Sequence, residues 1–92
     1  MKEILGIFLE DTPNRLAQLR TSREKGDTAT FTRAAHSVKG SSGNVGANEL
    51  HAVAEKIETH AKHSGLVETD ALIAEIEAAF ARVEVELRKL VA

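Results

Sequence analysis

Apolar residues recur along the chain at spacings of three and four, and no stretch alternates with a period of two, so the pattern predicts helices and no strands. The first helical segment covers about residues 2–24, with Ile4, Leu5 and Phe8 followed by DTPNRLAQL, which holds Leu16 and Leu19. Asp11 or Thr12 is suited to cap a restart with Pro13 at its first position, so an interruption of this helix is expected near Pro13. A second segment runs from an Asp27 cap to about Gly43, with Phe31, Ala34, Ala35 and Val38 on one stripe, and NVG makes a turn. The third, about 47–63, aligns Leu50, Val53, Ala54, Ile57 and Ala61 and stops where Gly65 suits a C-terminal cap. The fourth, about 69–91, carries Leu72, Ile73, Ile76, Phe80, Val83, Leu87 and Leu90. Four stripes joined by short Gly, Ser and Asn turns make sequence neighbours antiparallel. The expected architecture is an all-α, up-down-up-down four-helix bundle, one domain over residues 1–92.

Composition narrows the classes of function. A chain of 92 residues buries more than about 60% of its unfolded surface and needs no staples. The absence of cysteine excludes a disulfide framework and any Cys-based zinc site or nucleophile. Twelve basic residues against 14 acidic ones give a net charge of −2 spread along the chain, which offers nucleic acid no basic stripe. No run approaches a membrane span, and MKEILGIFLED places acids where a signal peptide has its apolar core, so a cytoplasmic domain without membrane contact is expected. A carboxylate-bridged metal bundle needs Glu-x-x-His pairs. The residues three after Glu49, Glu55 and Glu58 are Ala52, Glu58 and Ala61, so no cofactor or metal is expected in this chain.

One stretch does not serve the fold. Within TRAAHSVKGSSGNVGA, Thr32 to Ala47, Gly40 costs a helix about 1 kcal/mol against alanine. At about 100° per residue, His36 falls roughly 150° from the centre of the buried stripe, with Lys39 and Gly40 beside it on the same face. An imidazole of ordinary pKa offers a neutral nucleophilic nitrogen near pH 7, a lysine three residues on holds an anion attached to it, and a missing side chain admits a large second body. The set fits a surface histidine that carries a phosphoryl group and is reached by another protein.

H36-S-V-K-G-S-S-G-N-V-G46 resembles the H-x-x-K-G-[SA]-[SA]-x-x-x-G signature of the histidine phosphotransfer (HPt) domains of multistep two-component relays, and FTRAA before it and ANELHAVAEKIE after it extend the likeness. The resemblance implies that His36 is the phosphoacceptor, that Lys39 steadies the phosphoryl group, that Gly40 gives the partner room, and that Glu58 on the third helix orients the imidazole. It implies response-regulator receiver domains and a hybrid sensor kinase as partners, with the acceptor aspartate and Mg2+ supplied by the receiver, and a carrier rather than an enzyme. A phosphotransfer domain of a chemotaxis-like kinase carries a similar motif. A non-catalytic helical interaction module would explain the stripes but neither His36 nor Gly40.

Other residues are read from position. His51, Glu55, Glu58 and Lys62 line a flank of the third helix beside the core, where a Glu58 carboxylate accepting from one ring N–H would leave the other nitrogen free. Otherwise that flank is a solvated charged face, and Lys62 is either part of it or a second cation near the phosphoryl group. Ser41 and Ser42 either hydrogen-bond that group or let helices approach closely. Gly46 supplies a backbone conformation that other residues avoid, and His51, His60 and His63 are expected at the surface. Ile4, Leu5, Ile7, Phe8 and Leu9 span an apolar arc of about 200°, wider than one buried face needs. Ile7, with Ile4 or Leu5, is therefore expected to centre a receiver-docking patch on a monomer, with Phe8 turned inward. The alternative is a first helix buried all round or paired with a second copy.

Overall fold

A computed structural model describes residues 2–91 and contains four helices: α1 (Lys2–Lys25), α2 (Thr28–Asn44), α3 (Asn48–Ser64) and α4 (Asp70–Val91). Each packs against two neighbours, so that the ring closes α1 to α2, α2 to α3, α3 to α4 and α4 to α1, and the bundle measures 39 × 19 × 18 Å. Contacts across the ring fix the directions. Arg23 pairs with Asp70 at the start of α4, Arg20 with Glu77 a little further on, and the Phe8 ring lies 6.1 Å from Phe80. As α1 is followed backward α4 runs forward, so the two are antiparallel. Gly43 lies against His51 and His36 against Glu58, which orders α2 and α3 the same way, and Lys56–Glu75 and Glu49–Arg82 do so for α3 and α4. Exposed pairs of this kind contribute little stability each. The stability lies in the core, where Leu19, Phe31, Val38, Leu50, Ile57, Ile73 and Ile76 are all fully buried.

The caps follow sequence chemistry. Asp27 precedes α2 and its carboxylate accepts from the Thr30 N–H at 3.1 Å, satisfying one of the orphan donors of the first turn. Gly65 closes α3 with φ of 68°, and its N–H reaches the Ala61 carbonyl. Gly46 turns the chain between α2 and α3 at φ of 76°. Leu90, assigned to the α4 stripe by spacing, is exposed, because Val91, four residues after the buried Leu87, takes the inward place at that turn. Among the described residues no helix is long and apolar enough to cross a membrane.

The interruption expected at Pro13 is corrected: α1 runs through it as one helix. Neither proposed cap acts as one, since Asp11 pairs with Arg15 at 3.3 Å and Thr12 is buried in the core. Leu5, Phe8 and Leu9 before the proline and Leu16 and Leu19 after it lie on one buried stripe, and packing of both halves holds the helix together where the proline removes a hydrogen bond. Pro13 itself is exposed, so nothing in the core depends on its ring. Pro13→Ala should therefore stabilise the domain by about 1–3 kcal/mol in denaturant melts, restoring that bond at the expense of a freer unfolded chain. Loss of stability in this variant would mean that the proline sets the path of α1.

Candidate functional site: a histidine held on a buried carboxylate

Ala34, Ala35 and Val38 turn inward from the middle of α2, and the same helical period that buries them carries His36 outward, leaving its side chain 67% exposed. Its ring is anchored. Nδ1–H donates to Glu58 Oε2 at 2.8 Å across the α2–α3 seam. Glu58 is 5% exposed, and three groups converge on it: His36, the Lys39 ammonium at 3.1 Å from Oε1, and the Lys62 ammonium at 3.3 Å from Oε2. Burial by itself would push this carboxyl up, but hydrogen bonds from Lys39, His36 and Lys62 outweigh it and hold the pKa at about 2. The group is ionised throughout the physiological range. An ionised carboxylate only accepts, so the Nδ1 proton stays on the imidazole and the lone pair of the neutral ring sits on Nε2.

The surroundings of that nitrogen are open and cationic. A Cβ added to Gly40, one turn beyond His36, would meet nothing within 4 Å. The two lysines exceed the one carboxylate by one positive charge, which favours an anion beside the ring. Lys62, left open between a solvated face and a role at the site, thus joins His36, Lys39 and Glu58. Ser41 and Ser42 do not: Ser41 Oγ donates to the Ser37 carbonyl at 3.0 Å, and Ser42, fully buried, donates to the Val38 carbonyl. Both hydroxyls are spent on their own helix, and Ser42 serves close packing.

On the neighbouring flank, Ile4 and Ile7 are 53% and 67% exposed, while Phe8 turns inward as expected. Leu5 is corrected: at 4% exposure it belongs to the core and adds nothing to a surface patch. Ile4, Ile7 and Asp11 of α1 face Ser41, Asn44 and Val45 across a groove of about 200 Å³. Two histidines assigned to the surface are half-buried fasteners instead. His51 Nδ1–H donates to the Lys39 carbonyl at 2.8 Å, and His60 Nε2–H donates to the Val67 carbonyl at 2.6 Å. The signal for His51 was Gly43, whose missing side chain leaves space for its ring.

The low pKa of Glu58 has a thermodynamic signature. Its folded value of about 2 lies below the ordinary 4.5, so it stabilises the fold fully above pH 4.5 and this contribution disappears as pH falls through 2. The stability difference between the parent and Glu58→Gln should shrink by roughly 2–3 kcal/mol between pH 5 and pH 2. A difference that does not change with pH would remove the buried carboxylate as the centre of the network.

Comparison with known proteins adds one finding: the family model described as Hpt domain matches residues 3–86. No curated protein and no solved structure matches the chain. The match takes in all of α2 and α3, with His36, Lys39, Glu58 and Lys62, and nearly all of the remaining bundle. The chain belongs to the Hpt domain family, the phosphocarrier modules of histidine phosphotransfer.

Proposed function

We propose that this domain accepts a phosphoryl group on His36 Nε2 from the phosphoaspartate of one receiver domain and passes it to the aspartate of another. The observation that carries this reading is the grip of the buried Glu58 carboxylate on Nδ1. In the forward step the Nε2 lone pair attacks phosphorus, the N–P bond forms as the P–O bond to the aspartate breaks, and the bonding pair leaves on the aspartate carboxylate. The ring, which keeps its Nδ1 proton, becomes an imidazolium beside an ionised carboxylate. No proton has to move. In the reverse step that imidazolium departs as a neutral imidazole, a good leaving group, so the same contact serves both directions. Lys39 and Lys62 balance the added phosphoryl charge. The domain is a carrier; the receiver contributes the aspartate and its Mg2+, and a hybrid sensor kinase charges the first receiver.

The receiver is proposed to dock over Gly40, where no side chain stands in the way, with Ile7 and Ile4 as the apolar centre of the contact. The domain acts as a monomer in the cytoplasm under this proposal. A receiver charged with acetyl phosphate and mixed with the domain should transfer label to the parent but not to His36→Gln, and the label should be acid-labile and base-stable. His36→Gln should melt within about 1 kcal/mol of the parent, because the side chain is exposed. Label retained by that variant would overturn the assignment. Ile7→Asp should weaken receiver binding at least about tenfold, the loss expected when a central apolar contact is replaced by a charge, with melting nearly unchanged. A large fall in stability with binding intact would place Ile7 in the core instead.

A further inference from the structure

The end of α2 is a poor helix by composition. Residues 40–44 read Gly, Ser, Ser, Gly, Asn, yet they remain helical to Asn44, directly after the lysine that pairs with Glu58. Ser41 and Ser42 direct their hydroxyls back to carbonyls of the same helix, which competes with the helical ladder rather than reinforcing it. Reinforcement comes from α3. The His51 ring lies against Gly43, where an added Cβ would stand 3.2 Å from Nδ1 and 3.4 Å from Cε1, and its Nδ1–H donates to the Lys39 carbonyl. His51 itself is fixed at its backbone, where its N–H bonds the Ala47 carbonyl at the start of α3.

We infer that His51 and Gly43 form a clamp that pins the backbone of Lys39 to α3 and so holds the Lys39 ammonium on Glu58. This makes His51 a positioning residue for phosphotransfer, acting through Lys39, and gives Gly43 a different purpose from Gly40. Gly40 keeps the face open to a partner; Gly43 admits the clamping ring. The inference deepens the proposed phosphocarrier role and rests on it for its functional consequence, whereas the clamp itself is visible without any phosphoryl group. It also explains why helix strength can be given up between residues 40 and 43 without loosening the lysine: the missing intrahelical stability is replaced by a bond to a neighbouring helix.

Three variants separate the hydrogen bond from packing. His51→Phe keeps a ring and loses the donor, His51→Gln keeps an N–H donor, and Gly43→Ala improves helix propensity while pressing a methyl group on the ring, which must give by a few tenths of an ångström. The carboxyl titration of Glu58 followed by carbon NMR requires no phosphorylation. The second readout is the lifetime of the phosphohistidine formed by treating each protein with potassium phosphoramidate, in which Nε2 displaces ammonia from phosphorus. His51→Phe should raise the proton affinity of Glu58 and shorten the phosphohistidine lifetime by about three- to tenfold, the size expected for one ordinary hydrogen bond, and Gly43→Ala should move both in the same direction by less. The double variant should be no worse than His51→Phe alone, and His51→Gln should stay near the parent. Unchanged titration and lifetime in Gly43→Ala would overturn the clamp, as would His51→Gln behaving like His51→Phe. Should His51→Phe fail to fold, Gly43→Ala decides alone, because its helix propensity works in favour of folding. If the parent takes no label at His36 while the titrations shift as stated, the phosphocarrier reading fails and the clamp stands.

Discussion

A carboxylate with 5% of its surface exposed is costly to hold as an anion, and the seam between α2 and α3 is organised around that cost. Glu58 is tolerable because His36, Lys39 and Lys62 all donate to it, and each of these comes from a position that the helical period dictates. His36 and Lys39 are three apart on α2 and share a face; Lys62 stands one turn beyond Glu58 on α3. Removing the carboxylate would release two cations and a ring at once. The same group that burdens the fold orders its chemically active surface.

Stability and accessibility conflict on α2. The helix buries Phe31, Ala34, Ala35 and Val38, a narrow stripe rich in alanine that lets its neighbours approach closely. Its outward face carries a protruding ring and a bare glycine. A longer side chain at position 40 would favour the helix and, under the proposed function, stand in the path of the receiver. The bundle makes up the deficit with contacts outside α2: the Asp27 cap at one end and His51 near the other.

Much of this was legible in the sequence, for identifiable reasons. Apolar spacing gave four helices to within a few residues, because each buries a single stripe and period alone determines which residues it holds. It also placed His36 outward and Glu58 on the flank toward α2. Pro13 misled because a local signal for a helix start was overridden by packing on both sides, and Leu5 because an arc of 200° does not say which edge is exposed. Only the neighbouring helices decide that: Leu5 is buried among them, whereas Ile4 and Ile7 remain outside. The role of His60 was out of reach because its partner is the Val67 backbone carbonyl, which carries no residue-specific signature, and for His51 on the Lys39 carbonyl the one signal was the space left at Gly43.

The choice of a carboxylic acid at position 58 has a consequence that a neutral amide would not. An amide oxygen can accept from Nδ1–H and fix the same tautomer, so ring orientation alone does not require a charge. In the proposed phosphorylated state, however, the ring would be cationic, and an ionised carboxylate 2.8 Å away stabilises such a ring more than an amide dipole does. Too much stabilisation would trap the phosphoryl group on histidine. Lys39 and Lys62 share the carboxylate charge, and under the proposed function they would moderate the effect and attract the phosphoryl oxygens. Under the proposed function, the balance between one buried anion and two cations would set how readily the group is taken up and released, with residues that all belong to this domain.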